Sequence, residues 1–166
     1  MNNKLEKLLK LIRTPTGRRT LFRKVKIISA IGSLGKSSAC RAIAVVVGDT
    51  KLEGFSNSTT SIVRNMLKHG RSSPYAVLET AIEGPGYMSG YASMLKPDIV
   101  VVTSIASEHI LTFRSLENIR SEKSKMLLNL TSEKTAILNA DDPNKNNKLD
   151  NYRDIIFSPG FTPGFM

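Results

Sequence analysis

Short β-branched runs alternate with longer stretches at helical spacing along most of this 166-residue chain. Residues 25–31 form an apolar, β-branched run that leads through a glycine-containing loop into a mostly apolar stretch at 39–47, long enough for a buried helix. Further strands are predicted at 75–79, 98–103, 135–139 and 154–157, and further helices at about 87–95 and 116–130. This alternation predicts an α/β fold, in which a mostly parallel sheet carries helices on both faces.

The two ends of the chain differ from this central pattern. Leucines at helical spacing among Lys and Glu predict a short amphipathic helix that ends before Pro15, and a basic, turn-rich arm follows it. Residues 49–70 predict a polar loop before a further helix. The predicted organisation is a helix and basic arm at 1–23, one domain at 24–157 and a frayed tail at 158–166.

The net charge of the chain favours anionic partners but does not distinguish one class of anion from another. Lys and Arg total 24 against 14 Asp and Glu, which gives a net charge of +10. Such an excess attracts nucleic acid, anionic membranes, nucleotides or phosphorylated substrates. Much of it lies in the early arm, where a solvated basic surface is the simpler interpretation.

The single cysteine, Cys40, excludes an internal disulfide, and its small neighbours favour a buried, inert thiol. No apolar run approaches the roughly 20 residues that a membrane-spanning helix requires. The opening residues alternate charges with leucines and do not build a signal-peptide core. These features predict a cytoplasmic protein.

A candidate phosphate-binding loop lies between the first predicted strand and helix. It reads Gly32-x-x-Gly35-Lys36-Ser37, with Ala30 where a full P-loop would have its first glycine. Backbone N–H groups at a helix start favour phosphate, the lysine can reach terminal phosphates, and the serine can bind Mg²⁺. A plain structural glycine turn is the alternative.

Polar residues follow the other predicted strands, where parallel sheets place their ligands. Glu79 ends its strand and can hold Mg²⁺ or act as an acidic helix cap. His109 can be a metal ligand, an acid–base group or an ordinary surface residue. Asn139 begins a segment that can contact a base or ribose, or form an Asx-Pro turn.

Five ordered blocks resemble the motifs of the central ATP-binding domain of the Mur ligase family. They are GSLGKSS at 32–38, ETAIEGPG at 79–86, KPD at 96–98 running on to TSIASEH at 103–109, FRSLE at 113–117 leading to EK at 122–123, and LNADDP at 138–143. The resemblance spans most of the chain, and five blocks at family-like spacing are far more specific than any single one. It implies a P-loop-like Mur ligase central domain.

The resemblance also implies roles for individual residues. Ser37 and Glu79 would bind one Mg²⁺, and His109 a second near the acyl substrate. Lys123 occupies the place of a lysine that is carbamylated in many members and then helps to position the second metal, whereas from the residues alone it reads as a solvated helix lysine. The implied catalytic residues are Lys36, His109 and Lys123, and the implied ATP-contacting residues are Gly32, Ser33, Gly35, Lys36, Ser37, Ser38 and, at the adenine, Asn139.

The activity that the resemblance implies is ATP-dependent amide ligation. ATP would phosphorylate a carboxylate, an amine would attack the acyl phosphate, and ADP and phosphate would leave, in the synthesis of peptidoglycan cell-wall peptides or of a polyglutamate. Departures from the family pattern concern the identity of the substrate more than ATP binding. They are Ser33, Leu34, Ser37 and Ser38 in the loop, Ser104 where Asn is usual, and Arg114 where Gly is common.

The family's amino-terminal nucleotide-sugar domain and its carboxy-terminal closing domain have no room in 166 residues. We therefore expect a ligase core, and not a complete ligase, with a partner chain as one source of the other domains. Two alternatives remain open. One is a nucleotide-binding regulatory or assembly module without turnover, and the other is a basic nucleic-acid-binding domain, which only the charge supports.

Overall fold

The computed structural model describes residues 7, 10, 14, 25–49, 61, 62, 64, 74–130, 135–139, 142 and 155–158. Most of the predicted amino-terminal helix and arm, the polar loop within 49–70 and nearly all of the predicted tail lie outside the described residues. Within the described part of the chain, no helix is long and apolar enough to cross a membrane.

The described strands form one five-stranded parallel sheet with the order β2-β1-β3-β4-β5. The predicted α/β class and parallel sheet are confirmed. The last strand is shifted by one residue from its predicted position and includes Ser158, which the prediction assigned to the tail. The strands are β1 Lys26–Ile31, β2 Tyr75–Glu79, β3 Ile99–Val102, β4 Thr135–Asn139 and β5 Ile155–Ser158.

Four described α-helices connect or follow these strands, and three of them differ from prediction. They are α1 Lys36–Val46, α2 Tyr87–Leu95, α3 Ile110–Phe113 and α4 Leu116–Ser124, and a short 3-10 helix follows at Leu127–Asn129. The first helix begins at the phosphate loop itself, three residues before the predicted start at 39. The predicted helix 116–130 is wrong in its last third, and the one-turn helix α3 was not predicted.

The end of α4 has a local cause. The Ser124 hydroxyl donates to the Ser121 carbonyl at 2.9 Å, and the backbone N–H groups of Lys125 and Met126 donate to carbonyls three residues earlier. Such bonds tighten the last turn and take the place of α-helical ones. Apolar residues beyond this point still pack into the core, which is why their spacing resembled a longer helix.

The core has two layers, one on each face of the sheet. Ile27 and Ile31 of β1 face a cluster that includes residues of α2 and α4, whereas Ile28 and Ala30 face a smaller cluster with Cys40 of α1. Successive side chains of a strand point to opposite faces, so a strand covered on both sides must be apolar throughout. The helices therefore lie on both faces, as predicted.

Candidate functional site

The phosphate loop has a backbone that glycine makes possible. Gly32 has φ 145° and Gly35, just before α1, has φ 80°. A Cβ atom on Gly32 would lie 2.1 Å from Thr103 Oγ1 and 2.9 Å from the Ser104 carbonyl oxygen. The loop therefore lies directly against the end of β3, where Ser33 N donates to Ser104 O at 2.7 Å.

Lys36 lies in the first turn of α1 and is only 7% exposed. Its Nζ donates to the Ser33 carbonyl at 2.9 Å and lies 3.6 Å from Glu108 Oε2. The side chain is thus folded back onto its own loop. A phosphate arriving at the loop would take the place of these two oxygen partners.

Lys123 is the largest difference between the residue-based interpretation and the structure. Its side chain is 2% exposed, its Nζ donates to Ser33 Oγ at 2.8 Å, and it lies 3.7 Å from the same Glu108 oxygen. Burial lowers the pKa of the Lys123 amine to about 8, with the charge of Glu108 opposing the shift and that of Lys36 adding to it. The interpretation as a solvated helix lysine is wrong.

Glu108 was not predicted as a site residue, yet it links the others. One of its carboxylate oxygens lies within 3.7 Å of both lysines, and the other lies 3.7 Å from His109 Nε2. The sequence shows only an acidic residue beside the histidine. Its meeting with lysines 72 positions earlier and 15 positions later follows from the fold alone.

Ser37 and Glu79 come together as the sequence analysis expected. The Ser37 hydroxyl donates to Glu79 Oε2 at 2.7 Å, from the first turn of α1 to the carboxyl end of β2. Glu79 does not cap the next helix, because α2 begins only at Tyr87 and Gly86 precedes it. A hydroxyl and a carboxylate oxygen are the hard ligands that Mg²⁺ prefers, so the pair fits this ion.

His109 stands at the start of α3 with a left-handed backbone, φ 60°, and its side chain is 42% exposed. Its only described ionic neighbour is Glu108. The structure thus brings it to the edge of the lysine cluster, on the solvent side. Its predicted role as a ligand of a second metal stays a prediction.

Asn139 and Asp142 tie the end of β4 to the end of β3. Asn139 Nδ2 donates to Thr103 O at 3.0 Å, and Ile105 N donates to Asp142 Oδ2 at 2.6 Å. Asp142 N also donates to Asn139 O at 3.3 Å, but Pro143 lies outside the described residues. The Asx-Pro turn and the adenine contact of Asn139 therefore both stay predictions. Asp142, 7% exposed, belongs to the same predicted segment but was given no role of its own.

Cys40 and Ser38 have contrasting surroundings on the same helix. Cys40 is fully buried, and this burial, aided by the charge of Glu79, raises the pKa of its thiol to about 12. The predicted burial of this thiol is confirmed, and its lack of reactivity stays a prediction. Ser38 is exposed beside the loop.

A glycine loop between a parallel strand and a helix, ending in lysine and serine, is typical of phosphate-binding α/β domains. The Mur ligase middle domain matches residues 28–160 of the chain. The chain belongs to the Mur ligase family, as the five sequence blocks indicated.

Several relatives are UDP-N-acetylmuramoyl-tripeptide–D-alanyl-D-alanine ligases. The protein from Mycobacterium leprae is 32% identical over 122 residues, which cover 70% of this chain and 23% of the relative. The protein from Rickettsia prowazekii is 28% identical over 121 residues, which cover 70% of this chain and 27% of the relative. The chain therefore spans about a quarter of the length of these relatives.

Solved structures share the fold. MurF from Acinetobacter baumannii superposes with a TM-score of 0.78 at 18% identity, covering 92% of this chain and 34% of that one. MurF ligase from Thermotoga maritima in complex with ADP gives 0.75 at 22% identity, covering 95% and 37%. The fold of a Mur ligase central domain, which the resemblance implied, is confirmed.

Proposed function

We propose that this chain is the ATP-binding core of an ATP-dependent amide ligase, which activates a carboxylate as an acyl phosphate for attack by an amine. The observation that carries the proposal is the cluster at the carboxyl edge of the sheet, in which Ser37 meets Glu79 and one carboxylate, Glu108, meets both buried lysines. The relatives favour cell-wall peptide synthesis, with a UDP-muramoyl tripeptide and D-alanyl-D-alanine as substrates, over polyglutamate synthesis.

The chain's own groups suit phosphoryl transfer, which depends mainly on positioning and on offsetting negative charge. The backbone N–H groups of the loop at 32–37 and the start of α1 favour phosphate oxygens. Lys36 would exchange the Ser33 carbonyl and the Glu108 carboxylate for the oxygens of a terminal phosphate. No protein nucleophile is required, and buried Cys40 has no part in the reaction.

Ser37 and Glu79 would hold the Mg²⁺, which supplies positive charge against the phosphates. Because their oxygens already lie 2.7 Å apart, little rearrangement is needed for both to contact one ion. Among the described residues, no group of three or more His, Cys, Asp and Glu side chains gathers in one place. A second Mg²⁺ near His109 therefore rests on the family resemblance.

Lys123 carbamylation forms part of the proposal. Reaction of the neutral amine with CO₂ forms an N–C bond and releases one proton, and the lowered pKa of Lys123 raises the neutral fraction near neutral pH. The product would be anionic, so Glu108 would have to turn away from it. ¹³C-labelled bicarbonate should give a carbamate resonance in the wild type and none in Lys123→Met; equal spectra would contradict this assignment.

Calorimetric titration with a non-hydrolysable ATP analogue tests the nucleotide site. We expect Mg²⁺-dependent binding of about −5 to −8 kcal/mol, in the micromolar to sub-millimolar range. Lys36→Ala should abolish it, whereas Lys26→Ala, at the opposite end of β1 and exposed, should not change it. Unchanged affinity in Lys36→Ala would exclude the proposed site.

Turnover distinguishes this function from the alternatives. Release of ADP that depends on both the acid and the amine, from the chain alone or mixed with a partner that supplies further domains, would exclude a regulatory module. Absence of release in both cases, with nucleotide still bound, would favour that module. Salt-sensitive binding to a generic DNA duplex would support the nucleic-acid alternative.

A further inference from the structure

A pocket of about 390 Å³ lies between the loop before α2, the end of α3 and one face of α4. Pro85, Arg114, Asn118, Glu122 and Lys125 contribute to its wall. Asn118, Glu122 and the C-cap residue Lys125 lie on one face of α4, because residues three, four and seven positions apart share a helix face. The volume is within the range of small-molecule sites.

The charge of the pocket is positive. The Glu122 carboxylate is already engaged, because Met88 N donates to one oxygen at 2.9 Å and Lys125 Nζ pairs with the other at 2.5 Å. Arg114 is exposed and forms no ion pair with any described residue. The Glu122–Lys125 pair is balanced, so the guanidinium gives the pocket one excess positive charge.

Arg114 also has a strained backbone. It follows α3 with φ 66°, a left-handed conformation that glycine adopts without cost and that disfavours other residues. Asn118 Nδ2 donates to the Phe113 carbonyl at 2.7 Å and fixes the chain just before it. Strained residues of this kind cluster at binding sites, where a side chain must be held in one place.

The pocket adjoins the phosphate site through α4. Glu122 lines the pocket, and the next residue, Lys123, extends into the phosphate cluster. Consecutive helix residues point about 100° apart, so the pocket and the lysine cluster lie on adjacent faces of α4.

We propose that this pocket binds an oxyanion of a substrate, a carboxylate or a phosphate group other than the reacting ones, and that Arg114 determines this specificity. The inference rests on the proposed ligase function and names a second anchoring point for its substrate. Arginine suits the role because its planar fork binds carboxylates and phosphates through two parallel hydrogen bonds.

The test is an NMR titration of the full chain, separately with glutarate and with inorganic phosphate. We expect saturable shifts of the Arg114 backbone amide and the Asn118 side-chain amide with at least one of them. Shifts with glutarate alone indicate a carboxylate, and shifts with phosphate alone indicate a phosphate group. No saturable shift with either, or shifts confined to the loop at 32–37, would overturn the proposal.

Arg114→Gly should weaken this binding at least tenfold while relieving backbone strain, so a loss cannot be attributed to unfolding. Lys96→Gly is the matched control, since Lys96 is also a left-handed cation after a helix, φ 43°, and does not line the pocket. Equal weakening in both variants, or none in Arg114→Gly, would refute the role of Arg114. Titration of the same samples with the ATP analogue keeps this outcome separate from failure of the nucleotide site.

Discussion

Among the glycines that the structure describes, replacing Gly32 by alanine should destabilise the fold most. The new Cβ would lie 2.1 Å from Thr103 Oγ1, 2.9 Å from Ser104 O and 3.0 Å from Ser104 N. The first contact can be relieved by turning the threonine hydroxyl away. The other two are to backbone, which cannot move without shifting the end of β3.

The cost has three parts. The positive φ of Gly32 adds ~1–3 kcal/mol for alanine, as for other sparsely populated backbone conformations. Turning Thr103 away sacrifices its contact with Leu34 O, 2.6 Å in the native loop, at ~0.5–1.5 kcal/mol. Overpacking against Ser104 adds ~1–3 kcal/mol. Together these give a loss of about 2.5–7.5 kcal/mol, a large share of the ~5–15 kcal/mol typical of a domain.

Two other glycines separate these causes. Gly48 has φ 68° but open space around its Cβ position, so Gly48→Ala should cost only ~1–2 kcal/mol. Gly90 lies within α2 with neither constraint, so Gly90→Ala should stabilise by ~0.5–1 kcal/mol. Urea unfolding followed by circular dichroism gives all three values. A Gly32→Ala loss no larger than that of Gly48→Ala would refute the steric argument.

Three further predictions follow from burial and capping. Cys40 should resist alkylation by iodoacetamide in the folded chain and react only as urea unfolds it, and rapid labelling under native conditions would contradict its burial. Because the pKa of Lys123 is about 8 when folded against 10.5 when exposed, the unfolded state binds more protons between these values, and stability should rise with pH there by up to ~1.4 kcal/mol per unit relative to Lys123→Met. A flat difference between the two proteins would contradict this. Ser115→Ala should cost ~1 kcal/mol in urea unfolding, because the serine hydroxyl accepts from Asn118 N at the start of α4, and Ser115→Asn should recover most of it.

Most strands and helices were predictable because residues close together in the sequence determine them. The strands β2 and β4 and the helix α2 have the predicted bounds, since each is a short apolar run between strong breakers. The end of α4 was not predictable from apolar spacing, because a serine hydroxyl bond to the backbone determines it. The one-turn α3 is too short to show a period.

The site was predictable where residues follow strand ends. The meeting of Ser37 with Glu79 follows from the rule that parallel strands end at one edge. The burial of Lys123 and the linking position of Glu108 were not predictable from sequence. Both depend on the distance of α4 and of the segment after β3 from the phosphate loop. The separation of residues along the sequence does not determine that distance in space.

Any anion that binds the two lysines, Lys36 and Lys123, must compete with the carboxylate of Glu108. The Glu108 carboxylate lies near both ammonium groups and is an internal counter-anion for them. An incoming phosphate replaces that internal anion. The measured binding free energy is therefore the difference between the interaction of phosphate with the lysines and that of Glu108 with the same lysines. Glu108→Gln should therefore bind the ATP analogue more tightly than the wild type in calorimetry, and weaker binding would show instead that the carboxylate organises the lysines for their ligand.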